Sequence, residues 1–130
     1  MNDFERKESA LKSYPELLAK REELIEEYVV ILTKLTKVTR NISPMPFGGE
    51  KPGPEEGVME MVKIRDEIES IENRISRIDN AVADLPLALR FLVRRHYFFG
   101  LKLNEIAEIQ HVSYRTIKRR KAQAIKLLRL

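Results

Sequence analysis

The sequence predicts an all-α protein, in which a long antiparallel helical hairpin with coiled-coil packing precedes a C-terminal three-helix helix-turn-helix module. Charged residues make up 34% of the 130 residues, above the roughly 25% of an average globular protein. Apolar residues recur every three or four positions along two long segments, and three shorter segments carry helix start and stop signals. We therefore expect the hairpin over residues 1–85, with a Pro/Gly-rich loop at 41–57, and the module over residues 86–130.

The first long helix is predicted from Tyr14 to Thr39. Its apolar residues form two rows of a heptad pattern, and a third apolar row runs beside them. The heptad rows are Leu17, Leu24, Ile31 and Val38, and Tyr28 and Leu35; the third row is Leu18, Ile25 and Leu32. Because this stripe is wider than a two-helix seam requires, we expect the helix to pack against more than one neighbour.

The second long helix is predicted to have a coiled-coil seam over residues 61–85. Eight apolar residues alternate spacings of three and four along it, and charged residues fill the outward positions. The seam residues are Met61, Ile64, Ile68, Ile71, Ile75, Ile78, Val82 and Leu85.

The segment between these helices is rich in proline and glycine. Residues 41–57 hold four of the six prolines and four of the five glycines, so we expect no helix to pass through them. The two helices are matched in length, at roughly 40 Å each for 1.5 Å per residue, and can pair within one chain or between chains. Since a two-helix hairpin leaves the third apolar row exposed, we expect residues 14–85 to form a homo-oligomer, most simply a four-helix dimer.

The composition excludes several classes of function. The chain has no cysteine, which excludes a disulfide framework, a thiolate metal site and a cysteine nucleophile, and is consistent with a reducing cytosol. No apolar run approaches the roughly 18 residues needed to cross a bilayer, and Met1 to Lys12 lack a signal-peptide core. We expect a cytoplasmic protein with no membrane partner.

Positive charge is concentrated at the C-terminal end. Residues 1–86 carry 13 basic and 18 acidic side chains, a charge of −5, whereas residues 87–130 carry 11 basic and two acidic ones, a charge of +9. Residues 113–130 contain seven lysines and arginines and no acid. This excess predicts a polyanionic partner for the last helix; a basic helix that is merely solvated is the alternative.

Three short helices are predicted after the hairpin. The first has Asp84 as its N-cap and Gly100 as its stop, and Ser113 is the N-cap of the last. Their predicted limits are Leu87 to Phe98, Leu103 to Gln110, and Tyr114 to about Leu130. Two short helices in this order, joined by the three-residue turn 111–113, have the form of a helix-turn-helix.

The spacing within the module predicts which residues face inward. Ala107 lies at the tight helix crossing, where a larger side chain would push the helices apart, and Val112 and Ile117 fill the gap between them. The residues expected on the surface that enters a major groove are Tyr114, Arg115, Lys118 and Arg119. Those expected to contact phosphates are Ser113, Arg120, Lys121, Lys126 and Arg129.

A set of residues between 85 and 128 resembles the promoter-reading helix-turn-helix of sigma-factor region four. They are Leu85-Pro86, Arg90, Leu92-Val93, Tyr97, Gly100-Leu101, Glu105-Ile106-Ala107-Glu108, Val112-Ser113, Thr116-Ile117-Lys118, Arg120, Ala124 and Leu128. The layout of the whole chain, a charged helical hairpin ahead of that module, is similar to phage and prophage late-transcription regulators of the ArpU and RinA type. His111 stands where such modules usually have glycine, and histidine tolerates left-handed backbone better than most other residues.

The resemblance implies a sequence-specific regulator that binds double-stranded DNA upstream of a phage operon in a bacterial host, with host RNA polymerase as a further partner. Two other functions remain open on the sequence. One is a phage DNA-packaging subunit, similar to a small terminase, that forms a larger oligomer. The other is a helix-turn-helix that binds a polymerase or another regulator in place of DNA. Oligomer mass and binding to a cognate duplex distinguish the three.

Nothing in the sequence predicts an enzyme, a metal site or a cofactor. His96 and His111 are the only histidines, and no Asp, Glu or His cluster at ligand spacing surrounds them. We expect His96 to face solvent or a phosphate, and His111 to be a turn residue. Glu105 and Glu108 are the only acids after Asp84, and their spacing fits a solvated helix face better than an acid-base pair.

Overall fold

A computed structural model describes residues 2–40 and 54–130, and within them the chain is all-helical, as the sequence predicts. The helices are α1 (Asp3–Arg40), α2 (Pro54–Ala83), α3 (Leu87–Val93), α4 (Leu103–Gln110) and α5 (Tyr114–Leu127), and α3 continues into a π-helical turn, Arg94–Phe98. No helix in the described part of the chain is both long enough and apolar enough to span a bilayer. Most of the predicted loop, residues 41–53, lies outside the described residues.

Helix α1 begins at Asp3, well before the predicted start at Tyr14. The Asn2 side chain accepts a hydrogen bond from the Glu5 amide at 2.8 Å and so caps the first turn. Pro15 lies inside the helix, where its ring removes one backbone hydrogen bond. The prediction that the helix starts at Tyr14 was therefore wrong, because the helix continues through the proline and extends back to Asp3.

Helix α2 begins at Pro54, so the prediction that residues up to 57 form a loop was wrong at its last four positions. Proline suits the first turn of a helix, where its missing N–H has no helical partner. Glu55 and Glu56 follow in the same turn, where negative charge favours the helix N-terminus. Gly57 lies opposite Leu35 of α1, whose side chain would be only 2.9 Å from an added Cβ.

The chain divides into two compact units. One combines the start of α1, up to Leu18, with Asn73–Leu130; the other is the described part of Ala19–Glu72. The unit that contains the predicted module, residues 86–130, thus also contains both ends of the predicted hairpin segment.

The larger unit has two clusters of buried apolar side chains. The first joins Leu11 of α1 to residues of α2, α3, the π-helical turn and α5, and includes Tyr97, Ala124, Ile125 and Leu128. The second joins Leu92, Ile106, Ala107 and Ile117, at the crossing of α4 and α5. Residues of α5 belong to both clusters, so the burial of apolar surface holds this helix against the rest of the larger unit.

The predicted seam of α2 is turned inward throughout. Ile64, Ile75, Ile78, Val82 and Leu85 are buried, and Met61, Ile68 and Ile71 are half-buried. On α1 the described heptad residues are buried or half-buried, while Ile25 and Leu32 of the third row are 42% and 45% exposed. The exposure of these two residues is what the sequence predicted for an isolated two-helix hairpin.

Two backbone positions determine where the first module helix begins and ends. Gly100 has a φ of 77° and follows the π-helical turn, so it ends the first module helix as predicted. Asp84 is not the N-cap of that helix: Pro86 occupies the cap position, and no side chain caps it. The prediction placed the cap too early because the helix begins after Pro86, and a proline is itself compatible with the start of a helix.

Candidate nucleic-acid interface

Helix α5 is held by one apolar face. Ile117, Ala124 and Ile125 are fully buried, and Ala107 of α4 faces the crossing at 5% exposure. The sequence predicted the inward position of Ile117 but not that of Ile125. Because α4 and α5 meet through an alanine, the two helices approach closely, and the opposite face of α5 is left to solvent.

The turn between α4 and α5 fixes the direction of α5. His111 has a φ of 56° and a ψ of 43°, the left-handed conformation expected for it. Ser113 caps α5, since its hydroxyl accepts a hydrogen bond from the Thr116 amide at 3.2 Å and lies 2.9 Å from the Thr116 hydroxyl. The amides of the first turn of α5 therefore point towards the same surface as its first side chains.

The four predicted base-reading residues are all exposed on α5. Tyr114 is 49% exposed, and Arg115, Lys118 and Arg119 are also exposed. The Lys118 ammonium lies 5.4 Å from the centre of the Tyr114 ring, within the range of a cation–π contact. The structure thus brings together one aromatic ring, three positive charges and a helix N-terminus on a single convex surface, which we call the α5 face.

The five predicted phosphate-contacting residues have different surroundings. Ser113 is occupied by its capping role, whereas Lys126 and Arg129 are exposed. Arg120 is half-buried and donates a hydrogen bond to the Gln110 side chain at 3.0 Å. Lys121 is 27% exposed and lies 3.5 Å from a Glu8 carboxylate oxygen. Only two of the five are fully available to a ligand.

Glu8 connects the start of α1 to the module. The Tyr97 hydroxyl donates a hydrogen bond to Glu8 Oε2 at 2.6 Å, and the ammonium groups of Lys121 and Lys12 each lie 3.5 Å from the carboxylate. The Tyr97 hydrogen bond lowers the pKa of Glu8 against the opposing effect of burial, and the two lysine charges lower it further. Burial, with the bond to Glu8, raises the pKa of Tyr97.

The N-terminal helical turns of α1 are a part of this unit that the sequence did not predict. Arg6 Nη2 donates to the Leu130 carbonyl at 2.6 Å, and Lys7 Nζ to the Lys126 carbonyl at 3.5 Å, so α1 also contacts the end of α5. A signal was present, since Phe4, Leu11 and Tyr14 lie at helical spacing. The predicted helix began with the heptad pattern at Tyr14 and therefore left these turns out.

The aromatic residues after α3 divide between core and surface. Tyr97 is buried, Phe98 stacks on Tyr14 with ring centres 3.9 Å apart, and Phe99 is 69% exposed. Consecutive residues of a helical turn cannot all point inward, and Phe99 is the one of these three that is left exposed. The Arg95 guanidinium lies 5.7 Å from the Phe99 ring and 4.9 Å from the Phe91 ring.

Histidine and carboxylate side chains form no cluster suited to a metal ion within the residues that the structure describes. His96 differs from its prediction: it is half-buried, and its Nδ1 lies 2.8 Å from the Leu101 carbonyl oxygen. The ring is held in place because the backbone carbonyl after Gly100 turns back towards it. Glu105 and Glu108 are both exposed on α4.

Comparison with known proteins finds a similarity in the C-terminal part of the chain. Residues 75–128 match the family model described as Sigma-70, region 4. No curated protein and no solved structure matches the chain. The match covers the end of α2 and all of α3, α4 and α5 with the turns between them, and it ends one residue beyond α5. It supports a sigma-factor region-four-like, DNA-binding helix-turn-helix in this part of the chain.

Proposed function

We propose that this chain is a sequence-specific regulator of transcription that binds double-stranded DNA as a dimer, has no catalytic activity, and serves a phage or prophage operon in a bacterial cytoplasm. Its region-four-like module is the DNA-binding part. One observation carries the proposal: Ile117 is fully buried while Arg115 and Lys118, on either side of it, are exposed. The likeness in layout to regulators of the ArpU and RinA type supports the phage assignment.

The α5 face is the proposed contact with the major groove. Arginine and lysine donate to the acceptor atoms of guanine, and Tyr114 offers a ring edge and a hydroxyl to neighbouring bases. Because Arg115 and Lys118 lie in the first turns of α5, they reach deepest when the helix enters the groove by its N-terminus. We assign base reading to them together with Tyr114 and Arg119.

Phosphate contacts are assigned to the remaining basic residues. Lys126 and Arg129 contact phosphates of the DNA backbone directly. Ser113 lies at the N-terminus of α5, where the first amides of the helix approach a phosphate. Arg120 and Lys121 reach phosphates only by exchanging their contacts with Gln110 and Glu8. We therefore expect Lys126 and Arg129 to supply most of the affinity that does not depend on sequence.

Dimerisation is assigned to an apolar face of the smaller unit. Its exposed apolar side chains include Ile25, Val29 and Leu32 on α1, and Val58, Met59 and Val62 on α2, each at least 42% exposed. Residues at spacings of three and four share one face of a helix, so each set forms a stripe. Exposed apolar stripes of this kind are typical of protein interfaces, and a second copy offers the same stripes in return.

Contact with RNA polymerase completes the proposal. It is supported by the region-four match and by three exposed apolar side chains on the module, Leu87, Phe99 and Ile109. Replacement of Phe99 by alanine is expected to weaken co-purification with polymerase while DNA binding is kept. Loss of both together would assign Phe99 to DNA binding or folding.

Selection of bound sites from a random pool of duplexes tests the proposed function. We expect the full chain to enrich one short motif in two copies, separated by about one helical turn of DNA or a multiple of it. The oligomer mass is measured on the same sample. Enrichment of no motif would contradict sequence-specific binding, and a mass of eight or more copies would support the packaging alternative.

A further inference from the structure

The larger unit contains a concave surface that is separate from the convex α5 face. It is a cleft of about 500 Å³ formed by the start of α1, the end of α2 and the last residues of the chain. Of the residues proposed to contact DNA, only Arg129 lines it. Neither the region-four match nor the proposed base reading gives this cleft a function.

The base of the cleft is apolar. Ile78 and Ala81 of α2 are buried beneath it, and Ala10, Leu17 and Leu130 are half-buried at its surface. A concave apolar surface of this size accommodates a few side chains of a ligand and releases water when they enter.

The edge of the cleft is strongly basic. Arg6, Arg74, Arg77 and Arg129 surround it, with Asp84 as the one acid among its lining residues. Arg6 is engaged with Asp3 and the Leu130 carbonyl. The other three arginines are exposed and form no ion pair within residues 2–40 and 54–130. Three guanidinium groups without carboxylate partners therefore surround an apolar base.

We propose that this cleft binds an acidic, amphipathic segment of a protein partner. Apolar side chains of the segment enter the cleft, and its Asp or Glu side chains pair with Arg74 and Arg77, the two exposed arginines of the cleft that have neither an ion pair nor an assignment to DNA. Arginine suits this role because its planar group binds a carboxylate through two hydrogen bonds. The proposal does not depend on DNA reading by α5.

The apolar base of the cleft favours a protein segment over a nucleic-acid backbone. A phosphate chain gains nothing from an apolar base, whereas a helix with one apolar face places its anchors there. The charge and the shape of the cleft together match an acidic helix or extended peptide.

Peptide selection tests this inference on the full chain. A displayed library of random peptides of about 15 residues, or four helical turns, is panned on the immobilised protein, and enriched peptides are measured in solution by fluorescence anisotropy. Each is compared with a version in which Gln replaces Glu and Asn replaces Asp. We expect enriched peptides to combine Asp or Glu with Leu or Phe, and to lose most of their affinity when the carboxylates are removed.

Matched variants locate the binding site. The double variant R74A/R77A is expected to weaken the enriched peptides about tenfold, because each exposed pair contributes several-fold in affinity. Arg65→Ala, an exposed arginine elsewhere on α2, is the control and should change affinity by less than about twofold. Both variants remove only exposed side chains, and circular dichroism confirms that helix content is kept.

Four results would overturn the inference. The first is that no acidic peptide is enriched, and the second is that R74A/R77A binds the enriched peptides as well as the wild type does. The third is that R74A/R77A weakens duplex binding about tenfold and leaves peptide binding unchanged, which would assign the cleft to DNA. The fourth is that R74E/R77E lowers the oligomer mass, which would identify a second copy as the occupant. In that case the acidic groove beside Glu23, Glu26 and Glu60 is the complementary surface.

Discussion

At the scale of single residues, the exposed cations of α5 fall into two groups that mutation separates. Replacement of Arg115 or Lys118 by alanine is expected to cost about 1–3 kcal/mol of binding free energy on the selected site and to relax the preference at one base pair. The reason is the loss of hydrogen bonds to a base edge. Binding isotherms on the selected duplex and on single-base variants of it measure both effects.

Lys126→Ala is the matched comparison for those variants. It is expected to weaken binding to all duplexes alike and to reduce the slope of log affinity against log salt by about 1, because one fewer counterion is released. Equal losses from Arg115→Ala and Lys126→Ala on every sequence would contradict the assignment of Arg115 to base reading.

Glu8 makes the free energy of unfolding of the larger unit depend on pH in a predictable direction. Its pKa is lower in the folded protein than its ordinary value of 4.5, so its contribution to stability is present above that pH. This contribution is lost as the pH falls through the folded pKa. Glu8→Gln is expected to lower the free energy of unfolding by about 1 kcal/mol at neutral pH, and the difference from wild type should shrink below pH 4.5.

Urea unfolding at a series of pH values measures this difference. Glu16→Gln, which changes an exposed carboxylate on the same helix, serves as the control and should unfold like the wild type. A wild-type advantage over Glu8→Gln that grows as the pH falls would show that the carboxylate is not stabilised by Tyr97 and the lysines.

Single residues also show the limits of prediction from sequence. The left-handed conformation of His111 and the capping role of Ser113 were predictable, because both depend on the local backbone and on residues within three positions. The pairing of Glu8 with Tyr97 and Lys121 was not, because it joins residues 89 and 113 positions apart in the chain. Its partners are brought together only by the packing of α1.

At the scale of helices, the crossing of α4 and α5 depends on a small side chain at position 107. Ala107→Leu is expected to destabilise the protein by about 1–3 kcal/mol, because extra methyl groups in a packed crossing force the helices apart. DNA affinity should fall with it, since α5 is displaced. Ala88→Leu, at an exposed position of α3, is the control, and thermal unfolding with duplex binding measures both variants.

Equal stability of Ala107→Leu and Ala88→Leu would contradict the close crossing.

The limits of α4 and the start of α5 were predicted from sequence to the residue, because Gly100 precedes α4 and Ser113 caps α5. The starts of α1 and α2 were not. The heptad pattern of α1 begins only at Tyr14, and the Pro/Gly-rich segment was taken to exclude a helix up to residue 57, whereas α2 begins at Pro54.

At the scale of the whole molecule, the exposed stripes of the smaller unit should control oligomer state. The double variant I25E/V62E places two charges in these stripes, and we expect it to be monomeric at concentrations at which the wild type is a dimer. Because both side chains are exposed in the single chain, helix content should be unchanged. Analytical ultracentrifugation measures the mass, and duplexes with one or two half-sites measure the consequence for binding.

Ser70→Glu adds a charge at an exposed polar position of the same unit and should leave the dimer intact. A monomeric wild type would contradict the proposed dimer.

The sequence predicted the exposed third row through Ile25 and Leu32 because its period is that of a helix. It did not predict that the start of α1 belongs to the unit that carries α5, since nothing local to residues 3–14 specifies which surface covers them.

The most direct test of the central claim is the titration of the full, isotope-labelled chain with the selected duplex, followed by amide chemical shifts. If α5 enters the groove by its exposed face, the largest changes fall between Ser113 and Arg120, and the buried side of the crossing changes little. Changes confined to α1, α2 or α3, with the amides of α5 unmoved, would show that α5 does not read DNA.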